Sequence, residues 1–279
     1  MPADLSRPLP IYWALVRVED VMREDDRELL VHAPAPGVLQ LTLNRPAQRN
    51  ALNCELLAQL RQALDDARDA AGVRLVLLRG AGQSFCAGGD RAELRRIAEG
   101  DEALNQRQAE LLVAALLAVF ELPKPVIALV QGPAVGAGAA LVAASDIALA
   151  ASEAHFAFPE ARLGLVPMTV APYLVHALGE RAARRWFLAG DTMSAAEALR
   201  LSLVHECLPA AELLPRALAL AGSVMTGGPV ALAATKALLR RLSGRLPDAT
   251  LAATSAAELR RERRAGESIA RLAGRPVET

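Results

Sequence analysis

The sequence predicts an α/β fold with largely parallel strands, followed by an all-helical C-terminal region. Short, almost wholly apolar runs such as VRLVLLRG and PVIALVQG suit strands covered on both faces. Segments of helical period lie between them, and from about residue 211 the helical pattern continues with no strand between. At 279 residues the chain is long enough to bury a full core without staples.

Residues 1–24 contain prolines and mixed charges and read as an N-terminal extension. Its apolar patch, Ile11 to Val16, is too short for an export signal. GVLQLTLNRP then reads as a strand through Val38, Gln40, Leu41, Thr42 and Leu43, stopped by Asn44 and Pro46. NALNCELLAQLRQALDDARDA sets Leu52, Leu56, Leu57, Leu60 and Leu64 on one helical face. VRLVLLRG ends at Gly80, PVIALVQG is a second buried strand and DIALAA a third. The division expected is an extension over 1–24, an α/β core over 25–210 and a helical oligomerisation region over 211–279. In that last region the arginines from Arg260 to Arg264 form a solvated helical face.

Lys plus Arg and Asp plus Glu both number 31, so nothing in the net charge recruits nucleic acid or an anionic membrane surface. The apolar stretch from Pro125 to Ala151 is broken by Gln131, Ser145 and Asp146 and is not a membrane span. Three cysteines, Cys54, Cys86 and Cys207, lack metal-ligand spacing and read as free thiols in a reducing compartment. His32, His176 and His205 have no partner at ligand spacing, so no metal site is expected. A soluble, cytoplasmic protein is the expectation.

The chemistry centres on VQGPAVGAGAALVAASD, Val130 to Asp146, where Gly132, Gly136 and Gly138 precede a helical pattern. Such a turn lets backbone N–H groups face an anion or a polarised oxygen, with the positive end of a helix behind them. It is neither a P-loop, since Gly138 is followed by Ala139 and Ala140, nor a dinucleotide fingerprint. Asp90 reads as the cap of the helix starting RAELRRI. Ser84 and Cys86 have no evident relay for nucleophilic catalysis, and His155 reads as structural.

Four segments, LNRPAQRNALN, GAGQSFCAGGD, the glycine turn and AHFAFPEARLGLVP, together resemble the enoyl-CoA hydratase/isomerase, or crotonase, family in order and spacing. The resemblance covers roughly residues 27 to 279 and implies a crotonase-like ββα superhelix. It implies further that two backbone N–H groups, at Gly89 and Ala137, bind a thioester oxygen that becomes an enolate oxyanion. Ala87, Gly88 and Gly136 would flank them. Ala47, Gln48 and Arg49 would contact the CoA portion, with Arg275 a weaker candidate. Glu160 matches one of the family's two catalytic glutamates, in a pocket that includes Phe158 and Leu165. The other glutamate's place is taken by Ala140, which would line the substrate site.

The run from Gly164 to Pro209 resembles the branch that hydrates 3-methylglutaconyl-CoA and related carboxylated thioesters in leucine or acyclic terpene breakdown. The expected activity is therefore hydration of a branched or carboxylated 2-enoyl-CoA. A Δ3,Δ2-enoyl-CoA isomerase with one glutamate and a catalytically degenerate acyl-CoA-binding protein are the alternatives. No cofactor is implied beyond the CoA of the substrate. The family resemblance implies a homotrimer or a dimer of trimers.

Overall fold

The computed structural model describes residues 27–243. The 1–24 extension with its Ile11–Val16 patch, the helical pattern beyond 243, Arg260 to Arg264 and Arg275 lie outside the described residues.

The architecture is a main sheet flanked by helices, with a small second sheet on one side. The strands of the main sheet are β1 (Leu29–Ala35), β2 (Val38–Leu43), β3 (Leu75–Gly80), β4 (Val126–Val130), β6 (Ile147–Ala151) and β9 (Glu206–Leu208). They stand in the order β1-β2-β3-β4-β6-β9, antiparallel at the first pair and parallel thereafter. The second sheet joins β5 (Ala134–Val135), β7 (His155–Ala157) and β8 (Thr192–Ser194).

The apolar runs form the centre. All five residues of β4 are buried, as are Leu75 to Leu78 of β3, because helices cover both faces of a parallel sheet. The β2 strand is less alternating than its residue types suggest. Leu41, Thr42 and Leu43 are all buried, since β1 and β3 flank it within the sheet.

Helix α1 (Cys54–Asp69) begins where the Asn53 side chain accepts the Leu56 N–H at 2.8 Å, and it buries Leu56, Leu57, Leu60 and Leu64. Leu52, read above as part of its face, lies before the helix and forms an isolated bridge with Gly89. Helices α2 (Arg91–Glu99) and α3 (Glu102–Glu121) follow, and α3 packs on α1. Helix α4 (Ala137–Ala144) has every residue buried, which its run of small side chains permits. Beyond it come α5 (Ala171–Leu178), α6 (Glu180–Ala189) and α7 (Ala195–Arg200). The chain then runs through α8 (Leu213–Val224) and α9 (Pro229–Ser243), with no strand after β9.

Helix α9 is fastened to the core by polar contacts. The Lys236 ammonium donates to the Asp146 carboxylate at 2.6 Å and to the Lys124 carbonyl, and Arg240 donates to the Phe120 carbonyl. Asp146 in turn accepts the Val126 N–H at the start of β4. Burial pushes the Asp146 pKa up and the Lys236 pKa down, so each depends on the other for its charge. Removing one partner strands the other. Lys236→Met should therefore cost on the order of 2 kcal/mol, less than a wholly buried pair, and adding Asp146→Asn should recover part of it. Denaturant midpoints of the two variants check this.

Candidate active site

The site is built where two loops touch almost entirely through backbone. The first follows β3 and runs from Ala81 to Asp90; the second joins β4 to α4. Cys86 and Ala134 form a parallel bridge, so the Val135 N–H donates to the Cys86 carbonyl at 2.9 Å. A Cβ added at Gly138 would collide with the Cys86 carbonyl oxygen, and one at Gly132 with that of Gln83. Only glycine permits this approach.

The first loop is held from its other side too. The Leu52 N–H donates to the Gly88 carbonyl at 2.8 Å, and the Leu52 carbonyl accepts the Asp90 N–H at 3.0 Å. In such a parallel bridge the peptide N–H of Gly89 faces away from Leu52. It makes no hydrogen bond among the described residues, and Gly89 lines a cavity of about 680 Å³. Ala137 is the first residue of α4, so its N–H has no partner within the helix, and it lines the same cavity. The two donors are neighbours. A Cβ on Gly88 would stand 2.9 Å from the Val135 carbonyl oxygen and 3.9 Å from the Ala137 nitrogen. Because Ala137 lies inside the helix and Gly136 takes the positive φ of 51°, alanine is tolerated at the second donor.

Glu160 opens a 3-10 turn, Glu160–Leu163, behind Pro159. Its Oε2 is buried without a hydrogen-bond partner, and its Oε1 lies 2.6 Å from where a Gly136 Cβ would be. Burial pushes its pKa up from 4.5 to about 7. A carboxyl whose pKa is raised by burial thus stands beside two N–H groups that have no partner among the described residues. Leu163, Leu165 and Val166 line the wall next to it. Phe158 does not: it is wholly buried behind that wall, edge-on to Phe187 at 5.3 Å.

Of the residues singled out from the sequence, Ala87, Gly88, Gly89, Gly136, Ala137 and Glu160 all line this one cavity. Ala47, Gln48 and Arg49 do not. They are exposed in and after a 3-10 turn, tied to the first loop where the Ala87 N–H donates to the Arg49 carbonyl. Ala140 is fully buried and off the cavity wall, its N–H donating to the Gly136 carbonyl. His155 lies on β7, away from the cavity. Burial pushes the Cys86 thiol up to about 12 and the Cys54 thiol up to about 11, which leaves neither as a thiolate nucleophile. Asp90 caps α2 by accepting from Ala92 and Glu93, as its sequence position suggests.

Two polar residues escaped the sequence reading. Asn50, fully buried at φ 57°, donates to the carbonyls of Ala81, Ser84 and Phe85 and accepts from the Arg45 N–H. Arg45 bridges Asp90 at 2.8 Å and Glu28 at 3.0 Å. Their only signal was a polar residue between two strand-and-helix runs, which says nothing of a distant partner.

Residues 34–263 match the model of the enoyl-CoA hydratase/isomerase family. The chain belongs to that family. It is 40% identical over 215 residues to a Thermus thermophilus protein with a provisional enoyl-CoA hydratase name, covering 77% of this chain and 85% of that one. It is 37% identical over 205 residues to the 2,3-dehydroadipyl-CoA hydratase of Escherichia coli, covering 73% and 78%. Among solved structures, an enoyl-CoA hydratase/isomerase from Mycobacterium paratuberculosis superposes with a TM-score of 0.78 at 28% identity, covering 88% of this chain and 98% of that one. The α/β crotonase fold with C-terminal helices is thereby established, and the chain is an enzyme of this class, for which the family implies an acyl-CoA substrate. No single helix among the described residues is long and apolar enough to cross a membrane.

Two expectations follow. In Gly136→Ala the new Cβ would push against Glu160 Oε1 at a positive φ, and a displacement of about 1 Å should cost roughly 10² in kcat/KM with the fold retained. The second concerns stability. Glu160 has a folded pKa of about 7 against an ordinary 4.5, so its contribution is fully present below about 4.5 and is lost as pH rises through about 7. Glu160→Gln should raise the melting temperature more at about pH 8 than at about pH 4, as paired melting curves would show.

Proposed function

We propose that this protein hydrates 2-enoyl-CoA thioesters, with Glu160 as the proton donor and the N–H groups of Gly89 and Ala137 as the oxyanion hole. The observation that carries the reading is the Glu160 carboxyl. It is buried with a free oxygen, titrates near 7 and is the only carboxyl on the cavity wall among the described residues. The thioester oxygen accepts from both N–H groups, drawing electrons from the conjugated double bond. Water adds its oxygen at the β-carbon, and Glu160 passes its proton to the α-carbon as the enolate collapses. The spare proton of the water goes to solvent and Glu160 is reprotonated, so one water is consumed per turnover.

The second acid of the usual pair is absent, since position 140 carries a buried methyl. A carboxylate on the substrate can hold the water instead, which suits branched or carboxylated thioesters such as 3-methylglutaconyl-CoA. The dehydroadipyl-CoA hydratase among the relatives supports that class. A place in leucine or terpene breakdown, a cytoplasmic setting and a trimeric or hexameric assembly belong to the same proposal. Exposed apolar side chains at Leu188, Val230 and Leu242 support the assembly. Ala47, Gln48 and Arg49 are proposed as CoA contacts.

One observation favours a second reading, Δ3,Δ2-enoyl-CoA isomerisation: a lone carboxyl suffices to carry a proton from C2 to C4. The two reactions need opposite forms of Glu160. Hydration starts from the acid, so its kcat/KM should fall as pH rises through about 7; isomerisation starts from the carboxylate and should fall as pH drops through about 7. The test is a pH profile of both rates on a panel of enoyl thioesters, with Glu160→Gln expected to lose about 10² or more of the faster. A dominant isomerisation rate with the rising profile would replace hydratase by isomerase. Binding without either turnover would leave an acyl-CoA-binding protein.

A further inference from the structure

Two exposed arginines, Arg91 and Arg95, without an ion pair among the described residues, line the mouth of the cavity that Glu160 lines. Helix α2 turns Arg91, Leu94 and Arg95 to it, at i, i+3 and i+4, and α3 contributes Gln108, Ala109 and Leu112. Neither arginine has an ion pair or hydrogen bond among the described residues. Two of the charges nearby are engaged elsewhere: Glu93 accepts the Cys54 N–H at 3.1 Å, and Arg96 pairs with Asp101 at 2.6 Å. The placement is unfavourable for the helix itself. Arg91 is its first residue, where the helix dipole disfavours a cation, and Arg95 repeats the charge one turn later. Glu160 is the one carboxyl among the described residues that line this wall, beside the two positive charges. The apolar lining of Leu57, Leu94, Ala109 and Leu112 shares this end of the cavity.

We propose that Arg91 and Arg95 bind a carboxylate at the far end of the acyl group, so that the preferred substrates are CoA monothioesters of dicarboxylic acids. The proposal rests on the acyl-CoA reading above and names its substrate class, with the carboxylate held by the arginines in place of the water-holding role considered there. Two guanidinium forks offer paired N–H donors to one carboxylate, and the Gln108 amide, also without a partner among the described residues, adds another donor beside them. The CoA phosphates present similar anionic oxygens, and the test separates the two sources.

Saturated thioesters are not hydrated, so their binding is read independently of turnover. The full chain is titrated calorimetrically with glutaryl-, adipoyl- and suberoyl-CoA against pentanoyl-, hexanoyl- and octanoyl-CoA, and with free CoA. At one or more chain lengths the carboxylated ligand should bind about tenfold or more tightly than its uncharged partner, and added salt should narrow the gap. Arg91→Gln with Arg95→Gln should abolish the difference while leaving hexanoyl-CoA and free CoA within about twofold of wild type; Arg96→Gln, whose partner is Asp101, should preserve it. Equal binding of charged and uncharged ligands at every length would overturn the proposal. So would a double variant that weakens free CoA as much as the carboxylated ligands, which would place the phosphates on these arginines. A preserved binding preference with no turnover of any enoyl thioester would count against the hydratase reading alone.

Discussion

The site depends on one constraint, the direct backbone contact between the loop after β3 and the loop entering α4. Each of those loops must release one N–H group toward the same point. Cys86 bridges Ala134 on one side while Leu52 bridges Gly89 on the other, so the Asp90 and Gly136 amides are bonded and those of Gly89 and Ala137 are not. The parallel sheet supplies the rigidity behind them. Strands β3 and β4 are neighbours in register from Val76 with Val126 to Arg79 with Leu129, and both loops leave from their C-terminal ends. Under the proposed reading, donors fixed in this way need no reorganisation when charge develops on a bound thioester oxygen.

Asn50 and Arg45 act on the same contact from outside it. The Asn50 amide gathers three carbonyls of the first loop, and the Arg45 guanidinium clamps the Asp90 cap at the start of α2. The stretch from Asn44 to Asn53, exposed at its tip, thereby braces the loop that carries the Gly89 N–H. Glu160 is held in the opposite spirit. Its surroundings leave one carboxyl oxygen without a partner, a cost to the folded state that keeps the proton available near neutral pH. A cavity with a buried, partly unpartnered acid is less stable than an apolar one of the same shape, and such a concession marks a functional site.

Much of this was legible in the sequence where a single physical signal sufficed. The apolar runs of β3, β4 and β6 announce strands covered on both faces, and the leucines of α1 announce its buried stripe. The three residues given catalytic roles by family resemblance, Gly89, Ala137 and Glu160, converge on one cavity. What the sequence hid was short or relational. Strands β5, β7, β8 and β9 have two or three residues each, too few for any period to show. Strand β1 carries a proline and an irregular register at its edge of the sheet. Leu52 looked like the start of a helix because its spacing fits, yet a bridge to Gly89 outcompetes one more helical residue. Arg91, Arg95 and Gln108 read as ordinary helix surface, because nothing local tells that α2 and α3 enclose a cavity.

The central claim is that Glu160 exchanges a proton with the α-carbon of a thioester whose oxygen rests on Gly89 and Ala137. It is tested most directly by following deuterium entry into the α-carbon of a saturated acyl-CoA in heavy water, by NMR, with the wild-type protein and with Glu160→Gln. This exchange needs only the base and the oxyanion hole, so it is independent of which double-bond reaction follows. The account expects the wild type to exchange one of the two α-protons and the variant to exchange neither. No exchange by the wild type, or equal exchange by both proteins, would contradict it.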